Sequence, residues 1–228
     1  MSLAATVRKI LSILDRAYGR VPALKRADPV DELIRTVLSQ NTSDKNSVPA
    51  FYALKGAFRS WDSALRADTG KIARLIKHAG LANIKAERIK GVLSEIKRRE
   101  GRISLARLAR MSVKDASEYL KSIKGVGPKT AACVLLFSFA KPAMPVDTHI
   151  FRVAKRLGLI GKDLDIEEAH EALTAMVPKG LIYRFHLGII EHGRRTCKAA
   201  RPLCEACVLY EMCGFKLKSF YRRISRKI

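Results

Sequence analysis

The sequence predicts an all-α fold, and three observations support this class. Apolar residues recur at the i, i+3, i+4 spacing of an amphipathic helix along most of the 228-residue chain. Proline and glycine stand where helices would begin and end, as in Asp28-Pro29 and at Gly80. No segment shows the period-two alternation that indicates a half-buried strand. A chain of this length can bury a substantial core, either as one domain or as two small lobes.

The N-terminal part of the chain predicts three helices in order. The first carries an apolar face made of Val7, Ile10, Leu11, Leu14 and Tyr18. Asp28 is suited to cap a second helix, with proline at the first helical position and apolar residues as far as Leu38. The polar residues 39–43 then interrupt the pattern before a third helix around Phe51.

Helical spacing continues through the rest of the chain. Gly80 separates two short helices from a longer one, and Ser112 begins a capping-box pattern. The remaining predicted helices lie at about 61–65, 72–76, 84–99, 112–120, 166–176 and 181–192.

A glycine turn at 123–129, Ile-Lys-Gly-Val-Gly-Pro-Lys, precedes the strongly apolar segment 131–139. Gly125 and Gly127 can adopt positive φ without steric cost, so the turn can be tight and can expose backbone N–H groups. Pro128 suits the first helical position, where no N–H is needed. Such a helix N-terminus beside a lysine attracts phosphate through its free amides and its dipole. The alternative is a plain turn between two core helices.

The charge of the chain indicates a polyanionic partner. There are 44 lysines and arginines against 21 acidic residues, a formal net charge of +23. Basic residues that neutralise phosphates release counterions, which gives affinity for nucleic acid without sequence reading. The longest nearly apolar run, 131–140, is about half the length of a membrane span. Arg8 and Lys9 interrupt the apolar residues that a signal peptide would need, so we expect a cytosolic protein.

Four cysteines close to one another indicate a metal centre. Cys197, Cys204, Cys207 and Cys213 have the spacing C-x6-C-x2-C-x5-C. Cysteines in a reducing compartment favour metal ligation over disulfides. Ligation by four thiolates suits either zinc or a [4Fe–4S] cluster, and the spacing alone does not distinguish them. The fifth cysteine, Cys133, is most simply a small core residue.

Three motifs together resemble the helix–hairpin–helix DNA glycosylases, most closely their iron–sulfur endonuclease III branch. These are the glycine hairpin with Lys129, the segment Val146-Asp147-Thr148-His149 and the cysteine spacing, in the family's order and separation. The resemblance extends from about Asp28 to Cys213. It implies two helical lobes with a DNA cleft between them. The implied divisions are a six-helix lobe at 29–142 with the hairpin, a second lobe at 1–28 and 143–215 with the metal-cluster loop, and a basic tail at 216–228.

The resemblance implies catalytic roles for Lys129 and Asp147. The neutral amine of Lys129 would attack C1′ of a deoxyribose, expel the base and form an imine that permits β-elimination. Asp147 would stabilise the oxocarbenium-like state. The alternatives are a phosphate-binding surface lysine and a carboxylate that only caps the next helix. His149 would contact a phosphate or the flipped nucleotide, or else pack as a structural histidine.

The resemblance also implies DNA-binding residues and a cofactor. The family's cysteine pattern favours a [4Fe–4S] cluster over zinc. Lys198 and Arg201 lie in the loop between the first two cysteines, where a bound cluster would hold them facing a phosphate backbone. The hairpin residues Gly125, Val126 and Gly127 would bind phosphate.

The gap left by a flipped nucleotide must be filled by the protein. By resemblance, Gln40 and Asn41 fill it from one strand and Leu81 from the other. Endonuclease III usually has L-S-A-Q-A-T-D where this chain has L-S-Q-N-T-S-D at 38–44, so the family's glutamine falls on Asn41. The alternatives are loop polar residues and a core leucine.

The sequence therefore predicts a monomeric DNA glycosylase with AP-lyase activity, associated with the nucleoid in the cytoplasm. Its partner would be double-stranded DNA that contains damaged bases, oxidised pyrimidines first, or abasic sites. One alternative is a mismatch-specific thymine or uracil glycosylase on the same fold. Another is a non-catalytic hairpin protein that binds DNA, but Lys129 and Asp147 argue against it because binding alone needs neither.

Overall fold

The computed structural model describes residues 2–225, and within them it contains twelve α-helices and no strand. The predicted all-α class is confirmed. None of the helices in this range has the length and apolar character needed to cross a membrane. The chain forms two compact units. We call Lys25–Lys141 the hairpin unit, and Met1–Leu24 with Pro142–Ile228 the cysteine unit.

The hairpin unit contains seven α-helices. They are α2 (Pro29–Ser39), α3 (Asp44–Ala57), α4 (Trp61–Arg66), α5 (Thr69–Leu75), α6 (Ala82–Glu100), α7 (Val113–Lys121) and α8 (Pro128–Phe139). Short 3₁₀ helices lie at Lys77–Ala79 and Ala106–Arg110. The predicted cap is present, since Asp28 accepts hydrogen bonds from the N–H groups of Val30 and Asp31 at 2.9 and 3.0 Å. Its carboxylate therefore satisfies two of the amides that α2 leaves unpaired.

Helix α8 lies at the centre of the hairpin unit. Every residue from Thr130 to Leu136 is buried. A helix that is apolar on all sides must be surrounded by other elements. Helices α2 and α7 pack against it. The first turn of α8, which follows the glycine hairpin, is therefore held on a rigid support.

The cysteine unit is built from five helices. They are α1 (Leu3–Tyr18), α9 (Thr148–Leu157), α10 (Ile166–Met176), α11 (Ile182–Arg195) and α12 (Lys218–Ser225). Helix α11 packs against both α1 and α9. The core between them includes Ile10 and Leu14 of α1 and Phe185 of α11, all fully buried. The segment that carries the four clustered cysteines, residues 197–213, follows α11, and we call it the cysteine loop.

Two details of the organisation differ from the sequence analysis. The units divide after Leu24, four residues before the predicted boundary. The N–H of Ala27 donates to the carbonyl of Phe137 at 3.1 Å, which joins the segment before α2 to the hairpin unit. This unit also has seven α-helices and not the implied six, because Asp68 caps a separate helix α5 after α4 has ended at Arg66.

The basic segment predicted to be a tail forms helix α12 over most of its length. Lys218 donates to the carbonyls of Tyr210 and Cys213 at 3.0 and 2.7 Å. The guanidinium of Arg222 lies 4.3 Å from the ring centroid of Tyr210. These contacts hold the segment against the cysteine loop. Residues 226–228 of the predicted tail lie outside the described residues.

Candidate functional site

The glycine hairpin connects α7 to α8 through a tight turn. Gly125 has φ of +88°, the left-handed conformation that favours glycine. A Cβ at this position would lie 2.8 to 2.9 Å from three side-chain atoms of Arg88. Val126 is buried, and its N–H donates to the carbonyl of Ile123 at 3.0 Å. Its amide therefore closes the turn, which corrects the expectation that Val126 offers a free N–H to phosphate.

The amides without an intrahelical acceptor belong to the first turn of α8. Gly127 precedes this helix with φ of −91°, so only Gly125 uses the left-handed freedom predicted for both glycines. Pro128 occupies the first helical position, as predicted, and no side chain caps the N-terminus. The N–H groups of Lys129 and Thr130 then lack an intrahelical acceptor. A helix N-terminus with this geometry is suited to an anion such as phosphate.

Lys129 is half-buried beside an unexpected carboxylate. Glu32 on α2 is 2% exposed and accepts hydrogen bonds from Arg35 Nε at 3.0 Å and Thr36 Oγ1 at 3.2 Å. Burial raises the pKa of the Glu32 carboxyl, while Arg35, Thr36 and the Lys129 charge act in the opposite direction. Cys133, one turn after Lys129, is buried as predicted. Burial raises the pKa of its thiol, and the nearby Lys129 amine opposes that rise.

Gln40 and Asn41 follow α2 but differ in their surroundings. The Gln40 side chain accepts a hydrogen bond from Arg88 and donates to Thr130 Oγ1 at 3.4 Å. Asn41 is exposed and adopts φ of +53°. A left-handed asparagine is tolerated because its side chain is short and polar. The turn therefore fixes Gln40 inward, next to the hairpin, and presents Asn41 to solvent.

Leu81 occupies a second left-handed turn in the same unit. Its φ is +51° and its side chain is 54% exposed. Gly80 before it also has a positive φ, of +69°, and α6 begins directly after it. The alternative of a core leucine is therefore wrong. An exposed leucine held in a strained conformation points to a role outside the core.

Asp147 caps helix α9 of the cysteine unit. Its Oδ1 accepts from the N–H of Ile150 at 2.8 Å, so the capping alternative describes its local contact. His149 contacts Arg152, with 3.2 Å between Nδ1 and Nη2, and a Cβ on Gly193 would lie 3.0 Å from the His149 Cβ. His149 is therefore packed between α9 and α11. The cap fixes the Asp147 carboxylate rigidly, which a catalytic carboxylate also requires.

All four clustered cysteines line one pocket in the cysteine unit. Its empty volume is about 380 Å³, including the part open to solvent, and Val153, Leu157 and Phe215 supply apolar walls. The four sulfurs are free thiols. Four thiols that line one pocket fit the donor set of a [4Fe–4S] cluster.

Cationic side chains surround the pocket and bind its backbone. Arg156 of α9 donates to the carbonyls of Lys198 and Ala199 at 2.7 and 2.9 Å, and its Nη1 lies 3.4 Å from Cys197 Sγ. Arg152 donates to the Cys197 carbonyl at 2.9 Å. The lysine at the start of α12 closes another side of the pocket, through the carbonyl bonds described above. These cations would compensate the negative charge of bound thiolates.

Burial affects the titration of the groups around the pocket. It raises the pKa of Cys204 and Cys213, and that of Cys207 to about 11. It lowers the pKa of His192 to about 4, so this imidazole is neutral at physiological pH. Tyr18 hydroxyl lies 2.9 Å from His192 Nδ1. A metal that binds these cysteines must displace the thiol protons, and the positive charge of the metal takes the place of the protons. Within residues 2–225, no three His, Cys, Asp or Glu side chains form a group that could hold a single metal ion. A [4Fe–4S] cluster makes a different demand, because each of its four thiolates binds a separate iron.

Lys198 and Arg201 are exposed at the surface of the cysteine loop. The carbonyl of Lys198 is held by Arg156. The loop backbone is therefore fixed, and its two cations stay available to a polyanion.

Sequence analysis missed several residues that organise these sites. Lys85 and Arg88 on α6 and Arg156 on α9 make contacts that no local pattern indicates. Glu32 on α2 bonds local partners, but nothing in the sequence near it indicates the charge of Lys129. A charged residue at an apolar position of an amphipathic helix is the one available signal. Glu32 lies next to the apolar Leu33 and Ile34, and Lys85 next to the buried Ala86.

Comparisons with known proteins agree with this geometry. The family model for HhH-GPD superfamily base excision DNA repair proteins matches residues 34–179. Endonuclease III of Thermotoga maritima is 38% identical over 199 residues, which cover 87% of this chain and 86% of that protein. A relative from Arabidopsis thaliana is 38% identical over 177 residues, which cover 76% of this chain and 60% of the relative.

The fold also matches solved structures. A non-covalent endonuclease III–DNA complex superposes with a TM-score of 0.82 at 27% sequence identity. The match covers 98% of this chain and 100% of the endonuclease III chain. Both the hairpin unit and the cysteine unit therefore have counterparts in one solved protein.

Proposed function

We propose that Lys129 is the nucleophile of this chain and that oxidised pyrimidines are its substrates. The chain belongs to the HhH-GPD superfamily of base excision DNA repair proteins and is a DNA glycosylase with AP-lyase activity. The observation that carries the proposal is the half-buried Lys129 in the uncapped first turn of α8. The amides of this turn suit a phosphate, so they would bring a DNA backbone to the lysine.

The proposed reaction begins at the Lys129 amine. Its neutral nitrogen attacks C1′, and the bond to the base breaks with its electron pair on the departing base, which takes up a proton. The C1′–O4′ bond of the sugar then breaks, O4′ takes up a proton that the nitrogen loses, and the opened sugar is left as an imine on Lys129. Loss of a C2′ proton then expels the 3′ phosphate and cuts the strand. Asp147, rigidly capped in α9, stabilises the positive charge that develops on the sugar.

The cysteine pocket is proposed to hold a [4Fe–4S] cluster through Cys197, Cys204, Cys207 and Cys213. When bound, the cluster supplies a structural cross-link between four points of the loop. Arg152 and Arg156 already hold the loop backbone on α9. The exposed Lys198 and Arg201 would then meet a phosphate backbone without having to be ordered on binding.

Asn41 and Leu81 are proposed to fill the gap left by the flipped nucleotide. Asn41 and Leu81 are both exposed, and each is held in a left-handed turn that directs its side chain outward from a rigid element. Gln40 instead bonds Arg88 and Thr130, and therefore supports the turn. The partner is double-stranded DNA with a damaged base or an abasic site, bound by a single copy of the chain.

A covalent trap tests the proposed nucleophile. Borohydride added during turnover should reduce the imine and leave a stable protein–DNA adduct. Lys129→Gln should lose the adduct and still bind DNA. Lys124→Gln, which removes an exposed lysine of the same hairpin, is the matched control and should trap normally. Trapping undiminished in Lys129→Gln would place the nucleophile elsewhere.

Excision rates test the substrate class. Single-turnover cleavage of thymine glycol or dihydrouracil should exceed that of thymine opposite guanine by at least about tenfold, or ~1.4 kcal/mol of barrier. Damaged pyrimidines stack and pair poorly, so they are easier to flip. The competing function is a mismatch-specific thymine or uracil glycosylase, which the asparagine at the exposed position 41 favours. A preference for T·G or U·G would establish that function.

A further inference from the structure

Lys85 is a buried lysine that joins two separate turns of the hairpin unit. It lies in the first turns of α6 and is 2% exposed. Its ammonium donates to the carbonyl of Leu38 and to the carbonyl of Ala79, each at 2.8 Å. The two acceptors are distant in sequence and are connected here through one nitrogen atom.

Both acceptors stand directly before the exposed left-handed residues. Leu38 lies in the last turn of α2, three residues before Asn41. Ala79 ends the 3₁₀ helix that is followed by Gly80 and Leu81. Carbonyls at helix ends lack an intrahelical donor and carry the negative end of the helix dipole. The Lys85 ammonium satisfies both ends at once and sets the distance between them.

Stability alone does not explain a lysine at this position. Burial lowers the pKa of the Lys85 ammonium, and the neighbouring Arg88 charge lowers it further. A buried cation without a carboxylate partner is costly, and an apolar side chain of similar volume is often at least as stable. The ammonium, however, has hydrogen-bonding geometry that an apolar side chain lacks. The presence of a lysine at position 85 is explained if the two turns need a defined spacing.

We propose that Lys85 is a positioning residue that holds the Asn41 and Leu81 turns at a fixed separation, so that both side chains enter the duplex together. The inference rests on the gap-filling roles proposed above. Lys85 does not contact the DNA, because it is buried beneath the turns. It acts on the step that removes a nucleotide from the stack, and not on imine formation at Lys129.

The test compares Lys85→Met with a matched control on the same helix. Lys90 also donates to a carbonyl, that of Ala67 at 2.6 Å, but it touches neither turn. Lys85→Met should slow excision of dihydrouracil paired with guanine by about tenfold or more, since small misplacements are costly. Imine trapping on a duplex that already holds an abasic site should change little, because no base remains to be extruded. Lys90→Met should leave both rates near those of the unmodified chain.

A double-mutant cycle with Leu81→Ala gives a second, independent readout. If Lys85 acts through the Leu81 turn, Lys85→Met should slow excision much less in the Leu81→Ala background than in the unmodified chain. Additive effects would overturn the inference, as would an equal loss of excision and trapping by Lys85→Met. If Lys85→Met fails to fold, Lys85→Arg keeps the cation, alters its reach and is put through the same comparisons.

The outcomes separate this inference from the proposed function. Trapping by the unmodified chain on abasic DNA depends on Lys129, and its absence would refute the nucleophile without reference to Lys85. An unmodified excision rate in Leu81→Ala would refute the gap-filling role, and the inference about Lys85 with it. Normal excision by a folded Lys85→Met variant would refute the positioning role alone.

Discussion

The hairpin and the cysteine loop are held in place by different kinds of interaction. The hairpin is closed by its own backbone, through the N–H of Ile123 to Leu120 and of Val126 to Ile123, at 3.1 and 3.0 Å. The side chains of Ile123 and Val126 are both buried. Backbone bonds within residues 196–213 also shape the cysteine loop, at 2.9 to 3.1 Å, but the loop in addition receives side-chain donors from another helix, Arg152 and Arg156 of α9. The loop thus adds long-range donors to its local bonds, whereas the hairpin turn is closed by its own backbone.

The difference teaches that the hairpin turn keeps its shape without a ligand, although the first amides of α8 stay open to one. Its two apolar anchors and its backbone bonds satisfy the turn without any ligand. The cysteine loop encloses a pocket whose thiols have no disulfide partner and whose surrounding groups are cationic. A loop of this kind gains its stability from the group that it binds.

The largest expected effect is the loss of a cluster ligand. Cys207→Ser should reduce the iron content from about four per chain to well below one in protein purified without oxygen. Hydrogen exchange should then show lost protection within 197–213 and retained protection in the hairpin. Cys133→Ser, which changes the cysteine outside the loop, should keep its iron. Stoichiometric zinc in the anaerobic protein would contradict the cluster.

Substitution of the hairpin glycines should come next in size. Gly125→Ala places a Cβ in the left-handed region and against Arg88, which must move and release Gln40. We expect a loss of about 2–3 kcal/mol in unfolding free energy, from backbone strain and one broken hydrogen bond. Urea denaturation measures it.

Gly127→Ala is the matched control for this effect. At Gly127 the backbone has φ of −91°, and nothing lies within 4 Å of an added Cβ. Gly127 is the N-cap of α8, where alanine is less favourable than glycine, so the expected cost is about 0.5–1 kcal/mol, still below that of Gly125→Ala. Equal losses in the two variants would show that left-handed strain and the Arg88 contact do not limit the hairpin.

A smaller effect is expected from the buried carboxylate beside Lys129. Because burial raises the pKa of Glu32, the folded state resists its ionisation. The stability of the unmodified chain relative to Glu32→Gln is therefore highest below the ordinary value of 4.5 and falls as the pH rises through the raised folded pKa. Unfolding curves at several pH values measure it, and a pH-independent difference would contradict the assignment.

The smallest effect concerns the salt dependence of DNA binding. Replacing Lys198 and Arg201 together with glutamine should reduce the slope of log affinity against log salt by about 1.8, if each meets one phosphate. The matched control replaces Arg8 and Lys9, two exposed cations of α1 in the same unit. An unchanged slope in the loop variant would show that the cysteine loop does not meet the backbone.

Local features were predictable because their causes lie close together in the sequence. The cap at Asp28, the turn before Pro128 and the burial of Cys133 each follow from a few neighbouring residues. The class of the fold follows from helical periodicity for the same reason. The exposure of Leu81 was left open, because a leucine after a glycine fits both a core and a surface position.

The residues that support the sites were not predictable, because their partners are remote. Lys85 bonds a carbonyl 47 residues away, and Arg88 bonds a side chain 48 residues away. Arg156 reaches carbonyls 42 and 43 residues away. Side-chain donors of this kind are placed by the packing of whole helices, and no spacing in the sequence records them. Helix α12 has nearer partners, five and eight residues away, but its charged composition alone predicts a tail because those contacts exist only in the folded chain.

The left-handed backbone at Asn41 and Leu81 limits how these two turns can drift during evolution. Their φ values of +53° and +51° are outliers for β-branched side chains. Valine and isoleucine are as apolar as leucine, but at position 81 they would force the turn to move. Glycine readily adopts this left-handed conformation but has no side chain to insert. Neutral exchange at these positions is therefore confined to unbranched or short polar residues, and a change of insertion chemistry has to pass through that small set.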